Sequence, residues 1–432
     1  MFQSLLYNAG IALYSFAITL VSPFHKKATL LHAGRRTVFS YLKQHVNPTD
    51  SYIWFHAASL GEFEQGRPVM EAMKEQHPEA RILLTFFSPS GYEIRKNYTG
   101  ADLICYLPAD TKANAHRLLE LVPLKAAVFI KYEFWVNYLT ELDRRSIPAY
   151  SIAAIFRRDQ VFFKSYGKWY RKVLSRFRKI FVQDEASLQL LKEINITNAE
   201  IAGDTRFDRV KAIASTARRF TEIEEFIGDC HKVLIAGSSW PEDEELLVRY
   251  INEHSDTKLI LVPHEIHESH LDGIAKLLSD SRRYTHLKTG EFSGTSCLVI
   301  DTIGMLSSLY QYATIAYIGG GFGVGIHNTL EAAVWKVPVV FGPNYQKFRE
   351  ARELIALGGG FSINGYEELR NRFDALFKEN TKTAPEQLDS SVVNPAGNSG
   401  IKAGNYVTAN TGATSIIINQ LTNDIYAKTI HS

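Results

Sequence analysis

The chain has 432 residues, 45% hydrophobic and 22% charged, with 48 Lys+Arg against 46 Asp+Glu. At roughly 100–200 residues per domain that length implies two to three domains, and the composition excludes wholesale disorder and a polytopic membrane protein. Cys105, Cys230 and Cys297 lie far apart without a CxxC pair, which excludes a disulfide framework or zinc knuckle and fits a reducing compartment. The net charge of +2 conceals an asymmetry. Residues 1–210 carry 28 basic and 20 acidic side chains, and the remainder carries 20 and 26, so different partners are expected for the two parts.

The first element is a membrane-anchor candidate, residues 1–24. No charged side chain occurs before Phe24, and Leu5, Leu6, Ile11, Leu13, Phe16, Ile18, Leu20 and Val21 make the stretch apolar. As a helix it would span about 36 Å, enough for a hydrocarbon core of roughly 30 Å. Lys26, Lys27, Arg35 and Arg36 come only afterwards. A cleavable signal peptide has the opposite order, and the positive-inside rule keeps the bulk of the chain in the cytoplasm. Gln3, Asn8, Ser15 and Thr19 dilute the apolar run, so the alternative is a buried or interfacial helix.

From Tyr52 onward, short apolar runs alternate with amphipathic stretches. Strands are expected at Ile53–His56, Ile82–Phe86, Leu103–Tyr106, Ala126–Ile130, Ala149–Ile152 and Lys179–Val182, with helices such as Glu62–Gln76 and Phe134–Asp143 between them. A second series runs Val233–Ala236, Leu259–Val262, Leu298–Ile300, Ile315–Ile318 and Val337–Phe341. Such alternation predicts α/β architecture: two doubly wound, Rossmann-like units, residues 25–210 and 211–395, with ligands in a central cleft outside the strand ends. Residues 396–432 read as a Gly/Asn/Thr/Ala-rich loop, Asn394–Thr411, followed by a terminal helix from Ala413 to Tyr426.

The chemistry-bearing residues fall at strand ends. His56-Ala-Ala-Ser59-Leu-Gly61-Glu62 leads from the first strand into a helix, where Glu62 either complements the macrodipole or serves as a catalytic carboxylate. Ser88-Pro-Ser90-Gly91 offers hydroxyls and amides for an anion or sugar; its ordinary alternative is an N-cap with proline in the first turn. Gly319-Gly-Gly-Phe-Gly-Val-Gly325-Ile-His327-Asn328-Thr329-Leu330-Glu331 follows a strand and opens a helix. Its five glycines let backbone approach a phosphate, and a helix start supplies free N–H groups. It fits neither G-x-G-x-x-G nor the Walker motif, so dinucleotide and P-loop readings are weak. Glu331 is placed to accept from ribose hydroxyls. Arg206, Ser238, Ser239, Pro263 and His264 are further polar loop-end positions, each alone more commonly a cap or surface group.

Two patterns have bland alternatives. His264-Glu-Ile-His267-Glu-Ser-His270 is not H-E-x-x-H, because position 268 is Glu, so no metal site is expected. Residues Arg157–Lys179 hold nine basic side chains and one acid, interleaved with six aromatics. Nucleic-acid binding, contact with anionic lipid, and a solvated face over inward aromatics all fit that pattern.

Taken in order, His56–Glu62, Ser88–Gly91, Leu107-Pro-Ala-Asp110, Glu133-Phe-Trp135-Val-Asn137, Gly203–Asp208, Val262-Pro263, Asp301–Gly304, His327–Glu331 and Phe341-Gly-Pro343 resemble the 3-deoxy-D-manno-octulosonic acid (Kdo) transferases of lipopolysaccharide assembly. The resemblance covers nearly the whole chain after the anchor. It implies a GT-B-type fold and an inverting, metal-independent glycosyltransferase of the bacterial inner membrane. The catalytic domains would lie on the cytoplasmic side, with no cofactor beyond the donor substrate. Kdo would pass from CMP-Kdo to a phosphorylated lipid A precursor (lipid IVA) at an anionic membrane surface, with no nucleic-acid partner. Glu62 matches the family's general base. Pro263, His264, Gly304, Met305, Leu306, Asn328, Thr329, Leu330 and Glu331 match its CMP-contacting segments. Ser59, Gly61, Ser88, Ser90, Gly91, Arg206, Ser238 and Ser239 are further substrate-binding candidates, with Arg206 a partner for carboxylate or phosphate. This chain departs from the pattern at His264 (often Arg), Met305 (often Glu), Thr329 (often Pro) and Lys131 (often acidic). The competing expectations are a membrane-associated GT-B transferase using a UDP-sugar, and a non-catalytic binder of anionic lipid or nucleic acid.

Overall fold

The structure, a computed structural model, describes residues 2–278, 280–287, 294–382 and 397–426. It divides into two compact units, residues 1–208 with 411–432 (unit 1) and residues 209–410 (unit 2).

Unit 1 opens with helices α1 (Phe2–Val21) and α2 (Lys26–His45), then a seven-stranded sheet. The strands are β1 (Tyr52–Ala57), β2 (Arg81–Phe86), β3 (Leu103–Tyr106), β4 (Leu124–Ile130), β5 (Ala149–Ala154), β6 (Lys179–Val182) and β7 (Ala199–Ile201). Their order is β3-β2-β1-β4-β5-β6-β7, every pairing parallel. Helices cover both faces, so β1 reads as an unbroken run, all six residues buried, as strands buried on two sides must. Helix α3 (Leu60–Gln76) packs Phe63, Val69, Met70 and Met73 onto one face, and α4 (Pro89–Arg95) follows β2.

Unit 2 repeats the plan with β8 (Val233–Ser239), β9 (Lys258–Pro263), β10 (Ser281–Arg283), β11 (Cys297–Val299), β12 (Ile315–Ile318), β13 (Val339–Phe341) and β14 (Gly360–Ser362). The order is β10-β11-β9-β8-β12-β13-β14, again wholly parallel. Strand order reverses between β1 and β4 in one sheet and between β8 and β12 in the other. In doubly wound sheets these reversals open the crevice that receives ligands.

The expected strands are all present, most extended by one to three residues. β7, β10 and β14 were not anticipated: each is a three-residue edge strand without a fully buried run, too short to show a period. The expected loop at 394–411 is instead a helix, Asn398–Ala409; residues 394–396 lie outside the described set. Its glycines signal contact rather than a loop, because a Cβ at Gly400 or Gly404 would collide with Lys336.

The terminal helix Ala413–Tyr426 forms where the sequence places it, and it returns to unit 1 rather than continuing unit 2. Ile417, Ile418 and Leu421 join the core beside α3. Asp208 accepts from the amides of Gly412 (2.6 Å) and Thr414 (2.7 Å) at its start, satisfying donors that a helix N-terminus leaves open. Residues 427–432 lie outside the described set.

Candidate functional site

In unit 1 the reversal between β1 and β4 collects a network of side chains. His56 ends β1 fully buried, with Nδ1 2.8 Å from Thr85 Oγ1 and Nε2 3.0 Å from Glu133 Oε2. Trp54 Nε1 donates to the same Thr85 hydroxyl at 2.7 Å, and Trp135 Nε1 donates to Glu133 Oε2 at 2.7 Å. The Trp135 ring stacks on Phe87, with centroids 5.2 Å apart. Phe87 and Ser88 donate backbone bonds to Ala57 and Ala58. The β2 turn is thereby sewn to the β1 turn.

On this platform sit Ser59, Gly61, Glu62, Ser88, Ser90 and Gly91. Ser59 is the N-cap of α3, yet its hydroxyl does not accept from the backbone; it donates to the Glu62 carboxylate instead. Glu62 is half-buried in the first helical turn, beside the positive end of the macrodipole. A half-buried carboxylate held there by a hydroxyl can accept a proton from an incoming alcohol. Ser88 caps α4, accepting from the amide of Ser90 at 3.3 Å, and the two hydroxyls lie 3.0 Å apart. A Cβ on Gly91 would lie 3.1 Å from the Ser59 carbonyl carbon, so the second turn sits directly on the first.

Arg206 reaches this region through a buried carboxylate. Asp204 accepts from Arg206 Nε at 2.9 Å and from Gln65 Nε2, on α3, at 3.2 Å. Burial raises the Asp204 pKa, but the guanidinium and these hydrogen bonds outweigh it and hold the group below the ordinary carboxylate range. Arg206 is therefore an arm of an ion pair rather than a lone cation.

The second reversal, between β8 and β12, gathers four segments of unit 2. Ser238 and Ser239 lie within the end of β8 rather than after it, and the Ser239 carbonyl accepts from His264 N at 3.0 Å. Pro263 ends β9, and the exposed His264 stacks on Trp240 (centroids 4.8 Å) and meets the His327 ring at a tilt (4.6 Å). Burial, then the neighbouring His264, hold His327 below the ordinary imidazole range. From the third segment, Leu306 packs where a Cβ on Gly237 would fall. Ser307 donates to Glu331 Oε2 at 2.5 Å, and Asn328 Nδ2 donates to Oε1 at 3.0 Å. Glu331 thus ties the Gly304–Leu306 loop to the Asn328 loop. Gly304 takes φ +95 in an exposed turn, where a side chain would be strained.

Several expectations need correction. The Ser239 hydroxyl is buried and donates to Glu244 at 2.8 Å, so it has no free hydroxyl for a ligand. The helix after the glycine run is a single turn, Leu330–Ala333, which gives little macrodipole. Four of the loop's amides close on the loop itself or on Asp243: Gly320 N donates to Asp243 Oδ2 (2.8 Å), Gly323 N and Gly325 N to Gly320 O, and His327 N to Gly319 O. The glycines are needed for contact between the loop and neighbouring strand ends. A Cβ on Gly321 would lie 2.6 Å from Gly342. Thr329 and Leu330 are fully buried, so their side chains offer nothing to a ligand. The Thr329 hydroxyl also has no hydrogen-bond partner among the described residues, which fits a position where an apolar residue would serve as well.

His264, His267 and His270 do not converge. His270 Nε2 binds Glu244 at 2.9 Å, His267 faces Glu265 at 3.5 Å and His264 lies in the ring stack. Of the aromatics in Arg157–Lys179, Phe162 and Phe177 are buried in the sheet core. Arg158, Arg176, Arg178 and Lys179 form ion pairs. His56, Glu133 and Trp135 stand in the sequence only as parts of matching segments, with no role of their own, and the structure joins them in one network. Their signal is a histidine at the end of β1 and a carboxylate and tryptophan just beyond β4.

Two parallel seven-stranded units, each with polar groups at its strand-order reversal, define a GT-B-type architecture. A model of the family described as "3-Deoxy-D-manno-octulosonic-acid transferase (kdotransferase)" matches residues 32–209. The chain is 27% identical over 352 residues to a 3-deoxy-D-manno-octulosonic acid transferase of Aquifex aeolicus, covering 79% of this chain and 90% of the relative. It is 27% identical over 361 residues to the enzyme of that name from Chlamydia trachomatis, covering 80% and 83%. UDP-GlcNAc 2-epimerase from Neisseria meningitidis, solved with UDP-GlcNAc, shares the fold alone, at 15% identity and a TM-score of 0.56 over 87% of this chain and all of that one. Over about four-fifths of its length the chain is thus similar to 3-deoxy-D-manno-octulosonic acid transferases, and the model of that family matches in its first α/β unit.

Proposed function

We propose that this enzyme transfers Kdo from CMP-Kdo to a phosphorylated lipid A precursor, lipid IVA, with inversion, at the cytoplasmic face of a bacterial inner membrane. The acceptor's primary hydroxyl attacks the anomeric carbon of Kdo. Its proton passes to the Glu62 carboxylate, and the bond from that carbon to the CMP phosphate oxygen breaks with its electron pair leaving on CMP. The phosphate is already a good leaving group, so the demand falls on the base and on charge stabilisation. Unit 2 would hold the nucleotide through Pro263–His264, Gly304–Leu306 and Asn328–Glu331. Arg206 and the hydroxyls of Ser59, Ser88 and Ser90 would serve the acceptor and the Kdo carboxylate. No metal or further cofactor takes part in this reading.

The observation that carries it is Glu62: a half-buried carboxylate at a strand-order reversal, oriented by Ser59 within the family-matching segment. The +8 balance of residues 1–210 supports a phosphorylated acceptor. The test is a donor panel. Product from CMP-Kdo and lipid IVA, none from UDP-sugars, and unchanged rates with EDTA would support the proposal. Transfer only from a UDP-sugar, or loss of activity with EDTA, would overturn the corresponding part.

A further inference from the structure

Among the described residues α1 is the one helix long and apolar enough to cross a membrane, Gln3–Val21 with mean hydropathy 1.5. Its two faces are used differently. Ser4, Tyr7, Asn8, Ile11, Ser15 and Ile18, at helical spacing, form the half-buried face. Tyr7 OH donates to Asp110 Oδ2 at 2.6 Å, and Asn137 Nδ2 donates to Asn8 Oδ1 at 2.9 Å. Asp110 and Asn137 are 1% and 5% exposed, and Asp110 also accepts from the amides of Asn137 (3.1 Å) and Tyr138 (2.9 Å). Ring contacts extend the docking along the helix, Tyr7 with Trp169 at 6.0 Å and Tyr14 with Phe87 at 5.9 Å. The opposite face carries Leu6, Leu13, Phe16 and Leu20, each more than half exposed. Phe24 beyond them is 90% exposed, and Lys26 and Lys27 follow at the surface.

A helix that spanned the bilayer would have to leave this seat. It would carry Asn8 and Ser15 into hydrocarbon and strip buried Asp110 and Asn137 of the hydrogen bonds they make to Tyr7 and Asn8, and both changes are unfavourable. The same helix lying in the interface keeps every polar contact and offers lipid a continuous apolar face. We infer that α1 is an in-plane anchor, docked on unit 1 by the Tyr7–Asp110 and Asn8–Asn137 bonds, and that its Leu6–Leu13–Phe16–Leu20 face inserts into an anionic phospholipid surface. Charge complementarity selects that partner. Lys26 and Lys27 follow the apolar face. Lys164, Lys168 and Lys172, which form no ion pair among the described residues, lie within five residues of Trp169 in the chain, and the Trp169 ring meets Tyr7.

The inference rests on the membrane part of the proposed function and goes beyond it by fixing the mode. The test uses the full chain on vesicles. Bimane is attached at Leu6→Cys, Leu13→Cys or Leu20→Cys in a Cys230→Ser background, because Cys105 and Cys297 are buried. Quenching is then read with lipids brominated at shallow or deep acyl positions. Leu6 and Leu20 are separated by about 21 Å along a helix. In-plane docking gives three equal, shallow depths. A spanning helix puts Leu13 deepest, between two shallow ends, and that pattern would overturn the inference while leaving membrane association intact. Flotation is expected to be at least tenfold stronger with phosphatidylglycerol-containing vesicles than with pure phosphatidylcholine. It should also be lost in a Leu6→Glu/Leu13→Glu/Phe16→Glu variant that keeps its circular dichroism. No flotation of the parent with either lipid would instead remove the membrane reading itself.

Discussion

In unit 1 the groups at the strand-order reversal are side chains held by other side chains: His56 by Thr85 and Glu133, Glu133 by Trp135, Arg206 by Asp204, and Glu62 by Ser59. In unit 2 the corresponding place relies more on close main-chain approach, with Gly321 against Gly342, the Leu306 side chain against Gly237 and several loop amides closing on Gly319, Gly320 and Asp243, beside the Ser307–Glu331–Asn328 bonds. The contrast follows from the chemistry proposed for each. A base must be placed to within a fraction of an ångström, which needs supporting partners. A nucleotide needs stacking surface, which the Trp240–His264–His327 rings would provide, while the glycines let the loop close on its neighbours. It also bears on the charge split, because an acidic unit can still bind a phosphate through local geometry.

The comparison breaks most sharply at Glu62. Glu62→Gln is expected to lower turnover roughly 10²–10⁴-fold, the usual worth of a general base, with KM for the donor unchanged. Steady-state kinetics on a variant with parental circular dichroism checks it. Next, the two kinds of support should fail differently. Gly321→Ala forces a Cβ into Gly342 and should destabilise unit 2 by about 1–3 kcal/mol. Gly61→Ala, whose Cβ meets nothing nearer than 3.8 Å, should be close to neutral in stability. Arg206→Ala strips the charged partner from Asp204, 6% exposed, and should cost about 1–3 kcal/mol. Urea titrations of the three variants separate a steric failure from an electrostatic one.

Unit 2 also carries two histidines with opposite pH signatures. Burial lowers the His270 pKa, but the hydrogen bonds to Glu244 and to the Glu265 carbonyl raise it on balance. Its stabilisation is therefore full below the ordinary imidazole value of about 6.5 and fades as pH rises through the raised folded value. His327 is shifted the other way, so its penalty appears as pH falls below about 6.5, where the unfolded chain takes up the proton. Denaturation at pH 5.5 and 9 should show His270→Gln losing more stability at 5.5, while His327→Gln gains relative to the parent there. The smallest effect is expected from Thr329→Val. Replacing a buried hydroxyl with no partner should stabilise by about 1 kcal/mol, read as a small rise in Tm.

The strands were legible because each is buried on both faces and so reads as an apolar run, as in Leu103–Tyr106 and Ile315–Ile318. Glu62 was legible because a strand, a Ser/Gly turn and an acid at a helix start lie adjacent in sequence. The Glu133–His56 pair was not: its members are 77 residues apart and meet only because β1 and β4 are neighbours. The glycine run was read as a cradle with free amides, because its closure on Asp243, 77 residues upstream of Gly320, has no local signature. The helix Asn398–Ala409 was read as a loop for the opposite reason, since close packing on Lys336 selects the same residue that turns do. The return of the last helix to unit 1 depends on Asp208 and on a core assembled from distant α3.

The central claim is that a Glu62-dependent transfer of Kdo takes place on this scaffold. Its most direct measurement follows product from CMP-Kdo and lipid IVA on anionic vesicles, with parent and Glu62→Gln protein side by side. The account predicts Kdo-modified lipid with the parent and a rate roughly 10²–10⁴-fold lower with the variant. Equal rates for the two, or no transfer from CMP-Kdo by the folded parent, would contradict it.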